Sequence, residues 1–401
     1  MKKMLLLGGS AQQVIAIETA KRLGLYTVLC DYLPDNPGQY HADKFYQIST
    51  TDKDAVLNIA LDEQIDFIIA YASDPAAPTA AFVAEKMGLP TNPYRSVEIL
   101  CNKDLFRVFL SSHGFHTPKA VGFKSKEEAM AGIAEFTLPI IVKPVDSSGS
   151  KGTTVLRDLT EVSEALDFAF SYSRGNRIII EEFIEKKHPF LIGGDIFVSN
   201  GKIIQWGLMN CHRDNNVNPL VPVGKSYPVL LEKNDLQAMK DTLQKLVTEL
   251  GIRFGPMNVE LVIDKNNRVF PIDIGPRSGG NMIPDLLGMI FDCDVVEMGI
   301  RVAMGENIKP EMKNGKPYYA TFNLHSNRKG IFEDIKFSPE IEKYIIKKSI
   351  YKKPGDEVLY FSNAAYALGI VFFRFPDKET MLSMEEHMND HVIIVLQGEK
   401  I

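Results

Sequence analysis

Two acidic residues, Glu260 and Asp273, stand on neighbouring apolar stretches, PMNVELVID and RVFPIDI, with Asn266-Asn267 between them. If the asparagines form a two-residue turn, which their tolerance of positive φ allows, Lys265 faces Arg268 and Glu260 falls opposite Asp273. Facing carboxylates about 5 Å apart repel one another unless a cation lies between them. Mg²⁺, which prefers carboxylate oxygens and substrate phosphates, resolves that repulsion. A slip of one residue would instead send the two acids to solvent separately.

The anion such a metal would accompany has its own candidate partners. Residues 147–152 read SSGSKG (Ser147, Ser148, Gly149, Ser150, Lys151, Gly152). Two glycines and three serines let the backbone approach a phosphate and aim N–H groups at it, while Lys151 adds charge; a flexible hairpin turn would have the same composition. Lys143 lies between Val142 and Pro144 on the stretch entering that loop, where a free ammonium is costly and calls for an anion, unless it sits on an edge strand facing water. Lys103, at the head of an apolar helix, says little by itself. Arg277, four residues past Asp273 and followed by Ser278-Gly279-Gly280, offers a planar fork for carboxylate or phosphate, or for a salt bridge.

The elements that must carry these residues are legible as periodicities. Residues 3–31 give a strand, a Gly8-Gly9-Ser10 turn, a helix and a second strand ending at Asp31. A helix near 52–63, the strand DFIIAYA and a helix from Pro78 to Met87 complete a doubly wound parallel unit over residues 1–95. GGSAQQ lacks the later glycines of a dinucleotide fingerprint, so it reads as a tight turn. One helix is expected over Ser96–His113, ended by Gly114. Strands LPIIVKP, TTVLRD and RIIIEEF follow, then a hairpin turning at Asn200-Gly201, a polar loop over 211–226, and a helix carrying Leu236, Met239, Leu243, Leu246 and Leu250 on its core face. The last hundred residues, with YATFNL and ALGIVFFRF, suggest a separate α+β cap.

Composition narrows the classes. With 401 residues the chain can build two to four cores, and a formal charge of −6 with scattered basic residues argues against nucleic acid or an anionic membrane as partner. Cys30, Cys101, Cys211 and Cys293 stand far apart and suit a reducing, cytoplasmic setting. The apolar run in MKKMLLLGGSA is shorter than the roughly 7–15 residues of a signal peptide core, and no segment reaches the roughly 20 a spanning helix needs.

In order and spacing these motifs resemble the ATP-grasp superfamily, in its carboxylate-amine ligase branch with relatives of biotin carboxylase, carbamoyl phosphate synthetase and L-amino acid ligase. The resemblance implies a mixed α/β and α+β fold: an N-terminal doubly wound pre-ATP-grasp domain (1–95), a two-lobed ATP-grasp domain (96–305, lobes 115–182 and 183–305) and a small C-terminal α+β domain (306–401). It implies that Lys103, Lys143 and the 147–152 loop bind ATP phosphates and that Glu181, Glu182, Phe183 and Ile184 read the adenine through backbone and side chains. Val262 would pack on the base, and Glu260 and Asp273 would hold Mg²⁺, or Mn²⁺ in its place. Arg277, with Lys143, would be catalytic; Arg277, Ser278, Gly279 and Arg213 would meet substrate, with His212 beside Arg213 in the 211–226 loop. The implied activity is ADP-forming activation of a carboxylate as an acyl phosphate and its joining to an amine. A bicarbonate-using carboxylase and a non-catalytic ATP-binding regulator are the alternatives. Both substrates would be small molecules, and a homodimer is compatible. Two departures stand out: Gly275 replaces the asparagine common two residues past the second metal acid, and Leu191 stands where an acid usually meets the ribose.

Overall fold

The near-continuous apolar runs of Lys3–Leu7 and Tyr26–Asp31 are buried on both faces of a parallel four-stranded sheet, ordered Lys44–Gln47, Tyr26–Asp31, Lys3–Leu7, Phe67–Ile69. Leu5 and Leu7 pack with Val56, Ala80 and Val83 on one side. Met4 and Leu6 pack with Ile17 and Ala20 on the other, joined there by Val296 and Ile300 of the distant helix Val295–Ala303. The computed structural model describes residues 1–308 and 314–398.

A second, antiparallel sheet runs Ala120–Phe123, Ile178–Glu182, Ile140–Pro144, Thr154–Leu156 and is backed by the helices Lys126–Gly132 and Val162–Tyr172. The third is an eight-stranded antiparallel sheet: Val269–Gly275, Gly255–Ile263, Leu191–Ser199, Lys202–Asp214, Asn218–Tyr227, Tyr319–Leu324, Gly369–Arg374, Ile345–Ile350. Met239, Leu243 and Leu246 of helix Lys233–Glu249 fill one of its faces, as their spacing predicts. A small sheet of Glu357–Val358, Gly330–Phe337 and Val392–Leu396 closes the C-terminal end.

Three expectations are corrected. The helix expected over 96–113 is two helices, Tyr94–Cys101 and Lys103–Ser112, because Asn102 is extended (φ −125°, ψ 109°). Its Nδ2 donates to Glu98 O at 2.9 Å and its Oδ1 accepts from Arg177 at 3.0 Å, so the side chain holds the break open. Residues 211–226 are not a polar loop but most of a hairpin in which Cys211 pairs with Lys225 and His212 with Gly224. The polar composition hid it, since one face of these strands lines a cavity instead of a core. Finally, YATFNL and ALGIVFFRF do not form a separate cap: their strands continue the eight-stranded sheet edge to edge with Asn218–Tyr227.

Candidate active site at two adjoining cavities

Strand Ile140–Pro144 carries Lys143 to the wall of a 1210 Å³ cavity, together with Ile141, the segment Glu181–Ile184, Leu191, Val262 and Ile272. Lys143 is buried, with Nζ 2.7 Å from Glu181 Oε2. Arg107 approaches the other oxygen of Glu181 at 2.9 Å. Burial pushes the Glu181 carboxyl up, but Arg107 and Lys143 outweigh it and hold the group at about 2. Burial pulls the Lys143 ammonium below its ordinary value despite Glu181. Glu181 and Glu182, expected to read an adenine, both line this cavity, but their carboxylates are already engaged. Glu181 is turned to Lys143 and Arg107, and Glu182 Oε1 accepts from Thr137 N at 2.9 Å. The backbone N–H groups of Glu182 and Phe183 donate to Lys119 O and Pro139 O, each at 2.9 Å.

Glu260 does lie directly opposite Asp273, although by a different route from the one expected. The turn is one residue longer, with Asp264 N bonded to Arg268 O and Asn267 at φ +61°, which alone would shift the pairing. A β-bulge between Glu260 and Leu261 restores it, the extra residue falling at Pro271–Ile272. Arg107 secures the bulge by donating to Ile272 O at 2.8 Å and Pro271 O at 3.3 Å.

These acids line a second cavity of 300 Å³, whose walls also include Ser148, Gly149, Ser150, Lys151, Arg213, Lys225, Asp74 and Arg277. The loop reaches it through positive φ at Gly149, Ser150 and Gly152, and Ser150 Oγ donates to Leu220 O at 2.9 Å across the opening. Lys103 Nζ donates to Ser147 O at 2.8 Å and lies 3.5 Å from Asp273 Oδ2, so one ammonium ties the loop to an acid. Lys143 and Glu260 thus line different cavities. These adjoin at Arg213, which lines both and lies 3.5 Å from Glu260. Burial raises the Asp273 carboxyl, while Lys103 first and then Lys143 and Arg277 bring it below its ordinary value. Among the described residues no third His, Cys, Asp or Glu joins the pair as a metal cluster. Two carboxylates beside a phosphate-sized opening fit Mg²⁺, which takes its remaining ligands from substrate phosphates and water.

Residues 102–311 match the family model described as carbamoyl-phosphate synthase L chain, ATP binding domain. The chain belongs to this ATP-grasp family. The formate-dependent phosphoribosylglycinamide formyltransferase of Methanocaldococcus jannaschii is 30% identical over 281 residues, 69% of this chain and 69% of that one. Among solved structures, the L-amino acid ligase from Bacillus licheniformis superposes with TM-score 0.82 at 19% identity, over 99% of each chain. The biotin carboxylase domain of Hydrogenobacter thermophilus 2-oxoglutarate carboxylase, complexed with MgADP, ADP and bicarbonate, gives 0.74 at 17%, over 98% of this chain and 90% of that one. The two structures establish the ATP-grasp fold over the whole chain.

Four residues in or behind the walls of these cavities escaped the sequence reading. Asp74 pairs with Arg277 Nη2; burial works against the Arg277 charge, but Asp74 raises its pKa above the ordinary value. A Cβ on Gly275 would lie 2.5 Å from Asp74 Oδ1 and 3.0 Å from Arg277 Cζ, so the Asp74–Arg277 pair fills the space of the family's asparagine. Asp195 accepts from Gly279 N at 2.7 Å and Asn258 Nδ2 at 2.9 Å; burial lifts it to about 6. Arg107 and Lys225 complete the four, and only Arg107 left a trace, its spacing of four from Lys103. Ser278 and Gly279, expected at substrate, line neither of these cavities: Ser278 is 3% exposed and Gly279 packs on Asp195. Ser147 and Gly152 anchor the loop without lining either cavity. His212 lines the larger cavity, half-buried against Phe190, with Nε2 2.8 Å from Ser226 Oγ and 3.5 Å from Glu385 Oε2, and burial lowers it to about 4.

Proposed function

We propose that the protein is an ATP- and Mg²⁺-dependent, ADP-forming ligase that activates a carboxylate as an acyl phosphate and joins it to an amine. The observation carrying this reading is the junction of the cavities. The larger has the volume and the apolar and backbone lining for a nucleotide base, and the smaller gathers the facing acids, the loop and Arg277. ATP laid across the junction would put its phosphates among Lys103, Lys143 and the loop amides. Mg²⁺ on Glu260 and Asp273 would supply charge neutralisation between them. The lysines and loop N–H groups lower the repulsion met by a carboxylate oxygen approaching the γ-phosphoryl group. The loop, tied to Leu220 through Ser150 and to Lys103 through Ser147, shields the resulting acyl phosphate from water until the amine attacks its carbonyl and phosphate leaves. Arg277, oriented by Asp74, stabilises the charge that develops.

An unphosphorylated acid and amine are favoured over a phosphoribosyl substrate such as that named for the M. jannaschii relative. In the turn at Gly8-Gly9-Ser10 every N–H is already bonded: Gly8 to Cys30 O at 2.9 Å, Gly9 to Asp31 Oδ2 at 2.7 Å, Ser10 to Gln13 Oε1 at 2.9 Å. The protein's own carboxylate sits where an anion would bind. A panel of carboxylic acids and amino acids, tested in pairs for ATP-dependent phosphate release, should contain an active combination. Tight ATP binding with no release for any pair would favour a non-catalytic regulator.

A further inference from the structure

Lys225 is 7% exposed, and its Nζ donates to Cys211 Sγ at 2.9 Å. A thiol is a weak acceptor without fixed charge, so among the described residues this buried ammonium has no carboxylate partner. Cys211 lines the larger cavity and Lys225 the smaller, which sets the pair in the wall between them. The other cations of the smaller cavity are differently placed. Arg277 is committed to Asp74, and Lys151 rides on the loop that would cover the phosphoryl group. Arg213 reaches Glu260 only at 3.5 Å, and its buried Nε has no partner. With a divalent cation on Glu260 and Asp273, the sheet therefore presents Arg213 and Lys225, neither held by a close carboxylate of its own among the described residues, to whatever enters. A nearly buried charge without a close counter-ion is costly, and an entering anion would recover that cost.

We infer that Lys225, with Arg213 on the same wall, is the anchor for the carboxylate group of the acid substrate, while Arg277, held by Asp74, orients it. This rests on the ligase reading above. The wall position puts an anchored carboxylate beside the junction where the terminal phosphate would lie, which is what an attack on phosphorus requires.

The test compares the wild type with Lys225→Met and Lys225→Gln. Each is assayed for phosphate release against a panel of the proteinogenic L-amino acids, acetate and succinate at saturating MgATP, and each for binding of the fluorescent nucleotide mant-ADP. The inference expects KM for the active acid to rise about tenfold or more in both variants, with the mant-ADP Kd within about twofold of wild type. Unchanged KM in a variant that still binds mant-ADP would overturn the inference and leave the ligase reading standing. Loss of mant-ADP binding in both variants would make Lys225 a structural lysine and overturn it too. If no acid drives release by the wild type, the ligase reading falls first and carries the inference with it.

Discussion

At the larger cavity Lys143, with Arg107 behind it, shares one carboxylate, Glu181, whereas at the smaller cavity Lys225 has no close carboxylate among the described residues and Arg277 pairs with Asp74 from the segment after strand Phe67–Ile69. On the proposed reading, the nucleotide side, the larger cavity, is internally compensated before ligand arrives, and the acceptor side, the smaller, only partly so. An internally paired site is rigid, and removing one member disturbs the fold as well as binding. A partly unpaired site loses ligand affinity when changed and little else.

Substitutions can break or sharpen that contrast. The largest effect is expected from Glu260→Ala and Lys143→Ala, each reducing turnover by about a thousandfold or more. They should differ in stability. Glu260→Ala should leave the melting temperature near wild type, while Lys143→Ala should lower it, because Glu181 is left with Arg107 alone; complete loss of a buried partner costs about 3–5 kcal/mol. Calorimetry on both separates the two, and equal melting temperatures would erase the distinction. Next, Arg277→Ala should lower kcat/KM for the acid about 10- to 100-fold while ADP binding holds; an unchanged response to the acid would remove Arg277 from the chemistry. Gly275→Ala should act through the same pair, its Cβ displacing Asp74 and Arg277 at a cost of about 1–3 kcal/mol and raising KM for the acid more than for ATP.

The smallest effect concerns pH. Burial raises the Glu385 carboxyl from its ordinary 4.5 to about 8, outweighing the opposing effect of the Ser226 hydroxyl. A raised carboxyl favours the protonated fold, so its contribution is full below about 4.5 and is lost as pH rises through about 8. Glu385→Gln should therefore gain about 2–4 °C in melting temperature over wild type between pH 5 and 8. Glu181 runs the other way: held at about 2, it stabilises the fold above about 4.5 and loses that contribution as pH falls toward 2. A wild-type stability that does not fall over that acid range would contradict the pairing.

Lys143 and the serine-glycine loop were legible in sequence, for a physical reason. An ammonium at Lys143 inside an apolar strand and a serine-glycine loop beside it are local anomalies that a linear reading detects. Glu260 and Asp273 were paired correctly because two offsets cancelled, a longer turn and a bulge at Pro271–Ile272. Proline, which cannot donate to a ladder, was the available hint of that bulge. The acceptor side is assembled from residues far apart in the chain. Asp74 meets Arg277 across 203 positions, and Lys225 was hidden because strands lining a polar cavity have the composition of a loop. The break at Asn102 was likewise invisible, since helical periodicity continues across it and only contacts with Glu98 and Arg177 hold it open.

Oxygen transfer tests the central claim most directly. The acid found active in the panel would be supplied with ¹⁸O in its carboxylate, together with MgATP and its amine partner, and the released phosphate examined by mass spectrometry. An acyl phosphate predicts one ¹⁸O atom per phosphate released, carried from carboxylate to phosphorus. Phosphate free of label during productive ligation would contradict it.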